Sequence, residues 1–408
     1  MTAVRTDALS SDGPGRIGSP QTWLAICAAC YLPFILLGFG NDIDVPNVLR
    51  SGRALVDDGS YEMSRGPGAV VHEVASGVLD RIGGSVLVNL SSLVFALVCL
   101  WCIHALAQSD GARWPTLAML VLAANPWFWI AATSLGDFTW ALGLVLAGVV
   151  VSQRRQPVAA GVLFALAIGC RASSALLILA WLIAQRTGER EQRASVPDTM
   201  RTLVTVGGLG LLCFVPPWLQ ADRTGAFLEN QLEVASLGAH LGRWAAKNAA
   251  VIGVLAGLAL LGSARGLAGG LGRWRSSVIV RFATLMLVLT ELLFLRFPFK
   301  PLHLLPVVAA LALLMGSSPL LSRRWIGAVL VAQLVAGLIG TTIAAPDVVD
   351  AASSGRLELG ITAGVLLTDV RCRLDDRERG PWDEPGSAAA AARAAENAAC
   401  QSQSWRAP

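Results

Sequence analysis

The chain has 408 residues, 54% of them hydrophobic and 15% charged, with a net charge of +4. A soluble domain carries about 25% charged residues, so this composition excludes a soluble globule and fits an all-α, polytopic bundle of transmembrane helices. The small, scattered positive excess also excludes a nucleic-acid-binding surface.

Residues 1–21 are rich in Ser, Gly, Asp and Pro and read as a disordered cytoplasmic tail. A membrane domain is expected over 22–344, with apolar runs at about 22–40, 85–107, 115–134, 137–151, 157–170, 172–184, 202–220, 247–264, 278–296, 300–316 and 325–344. Lipid offers the backbone no hydrogen-bond partner, so each run must be helical. Basic loops at Arg154–Arg155, Arg186–Arg201, Arg265–Arg275 and Arg323–Arg324 fall on one face only if 157–184 crosses twice, turning at Arg171. Cytoplasmic loops carry the excess of arginine. The expectation is about eleven spans in the plasma membrane, N-terminus inside and C-terminus outside. Loops 41–84 and 221–246 then lie outside, as does a partly disordered tail over 345–408.

The outer loop 41–84 is the most informative stretch. It begins Asn41-Asp42-Ile43-Asp44, two acids at the lip of the bilayer, where charge is costly unless solvated or used. Val45, Val48, Leu49, Leu55 and Val56 then recur at helical spacing, which predicts an amphipathic helix on the membrane surface. A second amphipathic stretch is expected over 69–81. Asp44 also suits the N-cap of the first of these helices, and Asp137 the N-cap of the fourth span.

Cations mark other outer corners: Arg171, then Arg296 and Lys300, with His303 one turn further on. Arginine grips phosphate with two parallel hydrogen bonds and lysine acts as a point charge. Together they suit a phosphate-bearing lipid head group. Glu291 lies within the ninth span with no partner evident in the sequence, and Trp127, Trp129 and Trp140 suit an interfacial belt. The C-x-x-C pairs at Cys27/Cys30 and Cys99/Cys102 lie in apolar runs and read as buried thiols. Cys372 and Cys400 in the polar tail can pair if that tail is outside the cell.

This layout resembles the GT-C superfamily of integral-membrane glycosyltransferases. The resemblance rests on the acidic Asn41-Asp42-Ile43-Asp44 after span one and on three further segments. Gly59-Ser60-Tyr61-Glu62-Met63-Ser64-Arg65-Gly66-Pro67-Gly68 is similar to G-x-Y-x-x-S-R-x-P-G of bacterial members. The run from Gly161 to Arg171 is similar to the G-hydrophobic-A-G-x-x-R segment of the family. Lys300-Pro301-Leu302-His303-Leu304-Leu305-Pro306 is similar to K-x-x-Y-L-L-P, with His303 in place of the usual Tyr.

The resemblance implies inverting transfer of a sugar from a polyprenyl-phosphate carrier to a glycan, lipid or protein acceptor on the outer face. A carboxylate of the first loop, Asp44 ahead of Asp42, would act as general base. Arg171, Lys300, Arg296 and His303 would hold the carrier phosphate, and Tyr61 and Arg65 would shape the entrance for acceptor or lipid. Some relatives use a divalent cation and many do not, so no cofactor is fixed. Two other classes fit the composition: a transporter or lipid flippase, which wants charge near the midplane, and a non-catalytic scaffold for envelope assembly.

Overall fold

The computed structural model describes residues 18–42, 44–187, 195–220, 237–298, 300–344 and 358–378, with isolated positions between 389 and 400. Residues 1–17 of the expected first tail, most of loop 221–246 and most of the expected tail 345–408 lie outside the described residues. The architecture is a polytopic bundle of α-helices with one small β-hairpin.

Helix α1 (Pro20–Tyr31) opens on Pro20, preceded by Ser19, whose hydroxyl accepts from the Thr22 amide at 3.2 Å. A cap of this kind satisfies an otherwise unpaired N–H, and Pro at the first turn costs no hydrogen bond. A 3-10 turn (Leu32–Leu36) carries the chain to the first loop. Helix α2 (Val45–Asp58) follows and stops at Gly59, which takes the left-handed conformation at φ 66°. Helix α3 (Val70–Ser109) is 40 residues long and kinks at Gly83–Gly84, where Gly84 has φ 57°. The kink divides a first part beside α2 from a second part in the bundle.

The apolar face of α2 is covered by protein. Val45, Val48 and Leu49 are buried with Phe39, Val88 and Leu135, which corrects the surface-lying expectation for that face. The two helices approach so closely that a Cβ on Gly77 would collide with the Gly52 carbonyl, and one on Gly52 would lie 2.8 Å from the Glu73 carbonyl oxygen. Gly77→Ala is therefore expected to lower stability by about 1–3 kcal/mol, the range for overpacking a tight contact. A fall in the thermal midpoint checks it, whereas Gly84→Ala would act through strained backbone instead.

Helices α4 (Pro115–Ala123) and α5 (Pro126–Ala132) meet at a 74° bend. Asn125 makes that corner, its Oδ1 accepting from the amides of Trp127 and Phe128, both at 3.1 Å. Then come α6 (Phe138–Gln153), α7 (Pro157–Cys170), α8 (Ser174–Arg186) and α9 (Val196–Gln220). Helices α10 (Leu237–Ile252) and α11 (Val254–Gly262) are bent by 84° at Gly253, φ 80°. The expected single span at 247–264 is thus broken, because Gly253 leaves helical φ. Helices α12 (Ala264–Leu271), α13 (Val278–Arg296), α14 (Leu305–Ser317) and α15 (Arg323–Leu338) complete the bundle.

Among the described residues, α3, α9 and α13 are long and apolar enough to cross a membrane, and up to five spans result if each bent pair counts as one. That is fewer than the expected eleven. The reason is length: α6, α7 and α8 hold 16, 14 and 13 residues, against the roughly 20 that a full crossing needs.

The eleventh run also ends early. Its last residues form β1 (Ile339–Ala344), which pairs antiparallel with β2 (Glu358–Ala363). Ile, Thr, Thr and Ile at 339, 341, 342 and 343 are β-branched and favour the extended form. The hairpin returns the chain to helix α16 (Val365–Glu378). Cys372 on α16 is disulfide-bonded to Cys400.

Trp127 and Trp140 are not part of a belt at the interface. Trp127 is buried and donates to the Ala250 carbonyl at 3.1 Å, and Trp140 is buried between Phe95 and His72. Their apolar area is spent inside the bundle.

Candidate active site

The site forms where five connections meet. Segment 38–44 brings Asp42 and Asp44, segment 133–137 brings Asp137, the α7–α8 corner brings Arg171, the turn before α14 brings Lys300 and His303, and the α2–α3 loop brings Arg65. The first two segments are joined through backbone, Leu135 N–H donating to the Phe39 carbonyl at 2.7 Å. They pass so closely that a Cβ on Gly40 would lie 2.6 Å from the Ser134 Cβ. Gly40 also has φ 105°, a conformation that glycine adopts without steric cost.

Asp42 accepts the Asp44 amide at 2.8 Å, a local turn that fixes its carboxylate. Lys300 Nζ donates to Asp42 at 2.6 Å and to Asp44 Oδ2 at 2.8 Å. Arg65 NH1 donates to the same Asp44 oxygen at 2.8 Å, and its NH2 donates to Asp137 Oδ2. Arg171 NH2 donates to the other Asp137 oxygen at 2.7 Å. The result is a continuous chain of charges: Asp42, Lys300, Asp44, Arg65, Asp137, Arg171. The Arg171 guanidinium lies 3.9 Å over the Phe138 ring and 3.5 Å from His303 Nε2. A small cavity beside Asp42 is lined by Asn41, Ser134, Gly136, Phe138 and Leu302.

Burial pushes the Asp44 carboxyl up, but the charges of Lys300 and Arg65 outweigh it and hold its pKa below the ordinary carboxylate value. Asp44 is therefore ionised at neutral pH. It stands at the N-cap position of α2, yet its side chain makes no capping hydrogen bond. Asp137 corrects the sequence reading more strongly. It precedes α6 without capping it, and it is a 1%-exposed counter-ion for two arginines.

Arg65 is set by the turn around it. Glu73, wholly buried on α3, accepts the Ser64 amide at 3.1 Å, the Ser64 hydroxyl, and the Tyr61 hydroxyl at 2.6 Å. Tyr61 thus supports the turn from behind, and burial together with Glu73 raises its phenol above the ordinary value. Arg296 does not join the cluster. It is exposed at the end of α13 and its guanidinium stacks 4.7 Å from the Phe297 ring. Glu291 finds its partners on α10, accepting from Trp244 at 2.8 Å and Asn248 at 3.2 Å.

Sequence reasoning brought Asp42, Asp44, Arg171, Lys300 and His303 to this region, and placed Arg65 near it. It missed Asp137, Phe138 and Glu73 as parts of the site. Among the described residues no group of three or more His, Cys, Asp or Glu is arranged to hold a metal ion.

No protein-family model matches the chain, and no curated protein is similar to it in sequence. Two crystal structures are similar in fold. ArnT from Cupriavidus metallidurans in the apo state has 15% identity and a TM-score of 0.54. The same protein bound to undecaprenyl phosphate has 16% identity and a TM-score of 0.55. Each match covers 95% of this chain and 76% of that one. At that identity the likeness is one of architecture: the helical scaffold that gathers these six charged side chains is the fold of ArnT.

Proposed function

We propose that the chain is a membrane glycosyltransferase that moves a sugar from a polyprenyl-phosphate carrier to an envelope glycan, lipid or protein on the outer face of the plasma membrane. The observation that carries the reading is the convergence of three acids and three cations from separate connections on one spot. The fold it shares with ArnT, one structure of which holds undecaprenyl phosphate, supports the choice of carrier.

In this reading the acceptor hydroxyl attacks the anomeric carbon as its proton passes to a carboxylate. The bond from that carbon to the phosphate oxygen breaks, and polyprenyl phosphate leaves. Lys300, Arg65 and Arg171 stabilise the charge that develops on it. Asp44 is the preferred base because its two cation partners are also the phosphate ligands. A bound donor draws Lys300 and Arg65 toward its phosphate and uncovers Asp44, while Asp42 stays fixed by its turn. This relieves the salt bridges that hold Asp44 a weak base at rest.

Contacts across the bundle support the sidedness. In this reading 41–84, Asp137, Arg171, Lys300 and the C-terminal tail share the outer face. The charge chain, and the bond from Asn41 Nδ2 to the Asp369 carbonyl on α16, join segments of that face only. Arg273 bonds to Asp110 at 2.9 Å and to the Ser317 carbonyl at 2.8 Å, joining segments of the other. A disulfide on α16 belongs to an oxidising compartment, which favours the exterior for the site's face.

The transporter reading leans on Glu291, which is occupied by Trp244 and Asn248. The deciding experiment is mass spectrometry of envelope glycans and lipid-linked sugars from a deletion strain. One sugar is expected to vanish from the glycans while its lipid-linked form accumulates. Unchanged glycans would reject the transferase.

A further inference from the structure

We propose that helix α16 is a brace that sets the register of the two loops bearing the site's acids, with Arg373 as its positioning residue; this rests on the reading of those acids given above. Arg373 is 1% exposed and makes no hydrogen bond to Asp42, Asp44 or Asp137. Its NH2 donates to the carbonyls of Thr133 at 2.6 Å, Phe34 at 2.8 Å and Gly38 at 3.3 Å. Its NH1 reaches the Thr133 hydroxyl at 3.2 Å and Asp369 at 3.4 Å. One guanidinium therefore holds the strand of chain leading into Asp42 and Asp44, and the end of α5 leading into Asp137.

The choice of residue follows from the partners. Gly38 follows a 3-10 turn and Thr133 ends a short helix, where carbonyls run out of intrahelical donors; the Phe34 carbonyl also takes the Leu37 amide at 3.2 Å and the Gly38 carbonyl the Asn89 amide group at 2.6 Å. A planar fork of five donors can serve several such carbonyls at once, and an ammonium group cannot match that geometry. Asp369, one turn earlier and also 1% exposed, accepts from Asn41 Nδ2 on both its carbonyl and its carboxylate, each at 3.1 Å. Asn41 directly precedes Asp42. The brace thus grips the acid loop at three points.

Burying a charged pair this deeply is a poor way to gain stability, since desolvation offsets the attraction. Fixing two loops in one relative position accounts better for it. Helix α16 is itself anchored. The hairpin delivers it, Gly364 N–H donating to the Leu338 carbonyl at 2.9 Å. Cys400, through its disulfide to Cys372, and Arg393, through a 2.6 Å bond to Asp376, are tied to it.

Hydrogen–deuterium exchange of the full chain in nanodiscs tests this. Arg373→Gln is expected to speed exchange about tenfold in both 36–46 and 131–139, with the second part of α3 and with α13 unchanged. Arg373→Lys, which keeps charge without the fork, should fall between that and wild type. Asn41→Ala cuts one tie only, and should loosen 36–46 while leaving 131–139 as it was. A uniform rise across the bundle in Arg373→Gln would mean bulk support instead of positioning and would overturn the proposal. So would wild-type exchange in either segment for Arg373→Gln, or in 36–46 for Asn41→Ala. Exchange is read without substrate, so failure here is separate from failure of the transferase reading, which is tested by the missing sugar.

Discussion

Asp44→Asn is expected to leave a folded protein whose transfer rate falls by about 10²–10⁴, the usual contribution of a positioned general base. The amide keeps the shape of the side chain and one acceptor oxygen for Lys300 or Arg65, but it cannot take up the acceptor proton. The rate is to be measured in proteoliposomes loaded with the lipid-linked sugar that accumulates in the deletion strain. A thermal midpoint near that of wild type keeps unfolding out of the comparison. Asp42→Asn should lose less, because its carboxylate stays committed to the Asp44 amide when the donor draws Lys300 away. If Asp44→Asn keeps more than about a tenth of the rate, the base lies elsewhere. If Asp42→Asn is the more damaged of the two, the roles of the two acids are exchanged.

Asp137→Asn is the substitution expected to cost most in stability, about 3–5 kcal/mol, the range for removing one partner of a buried ion pair. Both carboxylate oxygens are engaged, one by Arg65 and one by Arg171. Losing the charge leaves two guanidinium groups facing each other across a neutral amide. A second substitution should repair part of the damage. In Asp137→Asn with Arg65→Gln, one unmatched cation is gone, and the pair should recover about 0.5–3 kcal/mol relative to additivity. Thermal unfolding of wild type, both single variants and the double variant, each in the same detergent, gives the coupling directly. Additive losses would show that Asp137 and Arg65 do not act as a unit.

Much of the site was legible because ionisable groups beside apolar runs are rare and conspicuous. Asp42, Asp44, Arg171, Lys300 and His303 each stand at the edge of such a run. Asp137 stands there too, but a helix begins at the next residue, and capping is a sufficient local reason for an acid. Only the direction of its side chain, set by arginines 72 and 34 positions away, separates the two explanations. Arg296 errs the other way. It looks like Lys300 in sequence, but it ends α13 facing outward, while the extended backbone at Lys300 turns that side chain inward.

The fold was legible as a class and less so in detail. Hydropathy marks an apolar run without saying whether Gly253 or Asn125 will bend it. The β1 strand looked like the end of a span because its partner lies at 358–363, beyond any local pattern. Helix α16 carries seven ionisable residues in 14 positions, so nothing in its composition announced that Asp369 and Arg373 would be buried.

The charge chain also bears on what the site ignores. Three carboxylates against two guanidinium groups and one ammonium leave no formal excess. Free phosphate or sulfate from the surrounding fluid therefore meets little long-range attraction, and must break existing pairs to enter. A ligand whose greasy tail is already dissolved in the adjoining leaflet arrives at high local concentration and can meet that cost. Under the proposed function, selectivity for membrane-borne anions over dissolved ones would follow from how the resting side chains neutralise one another.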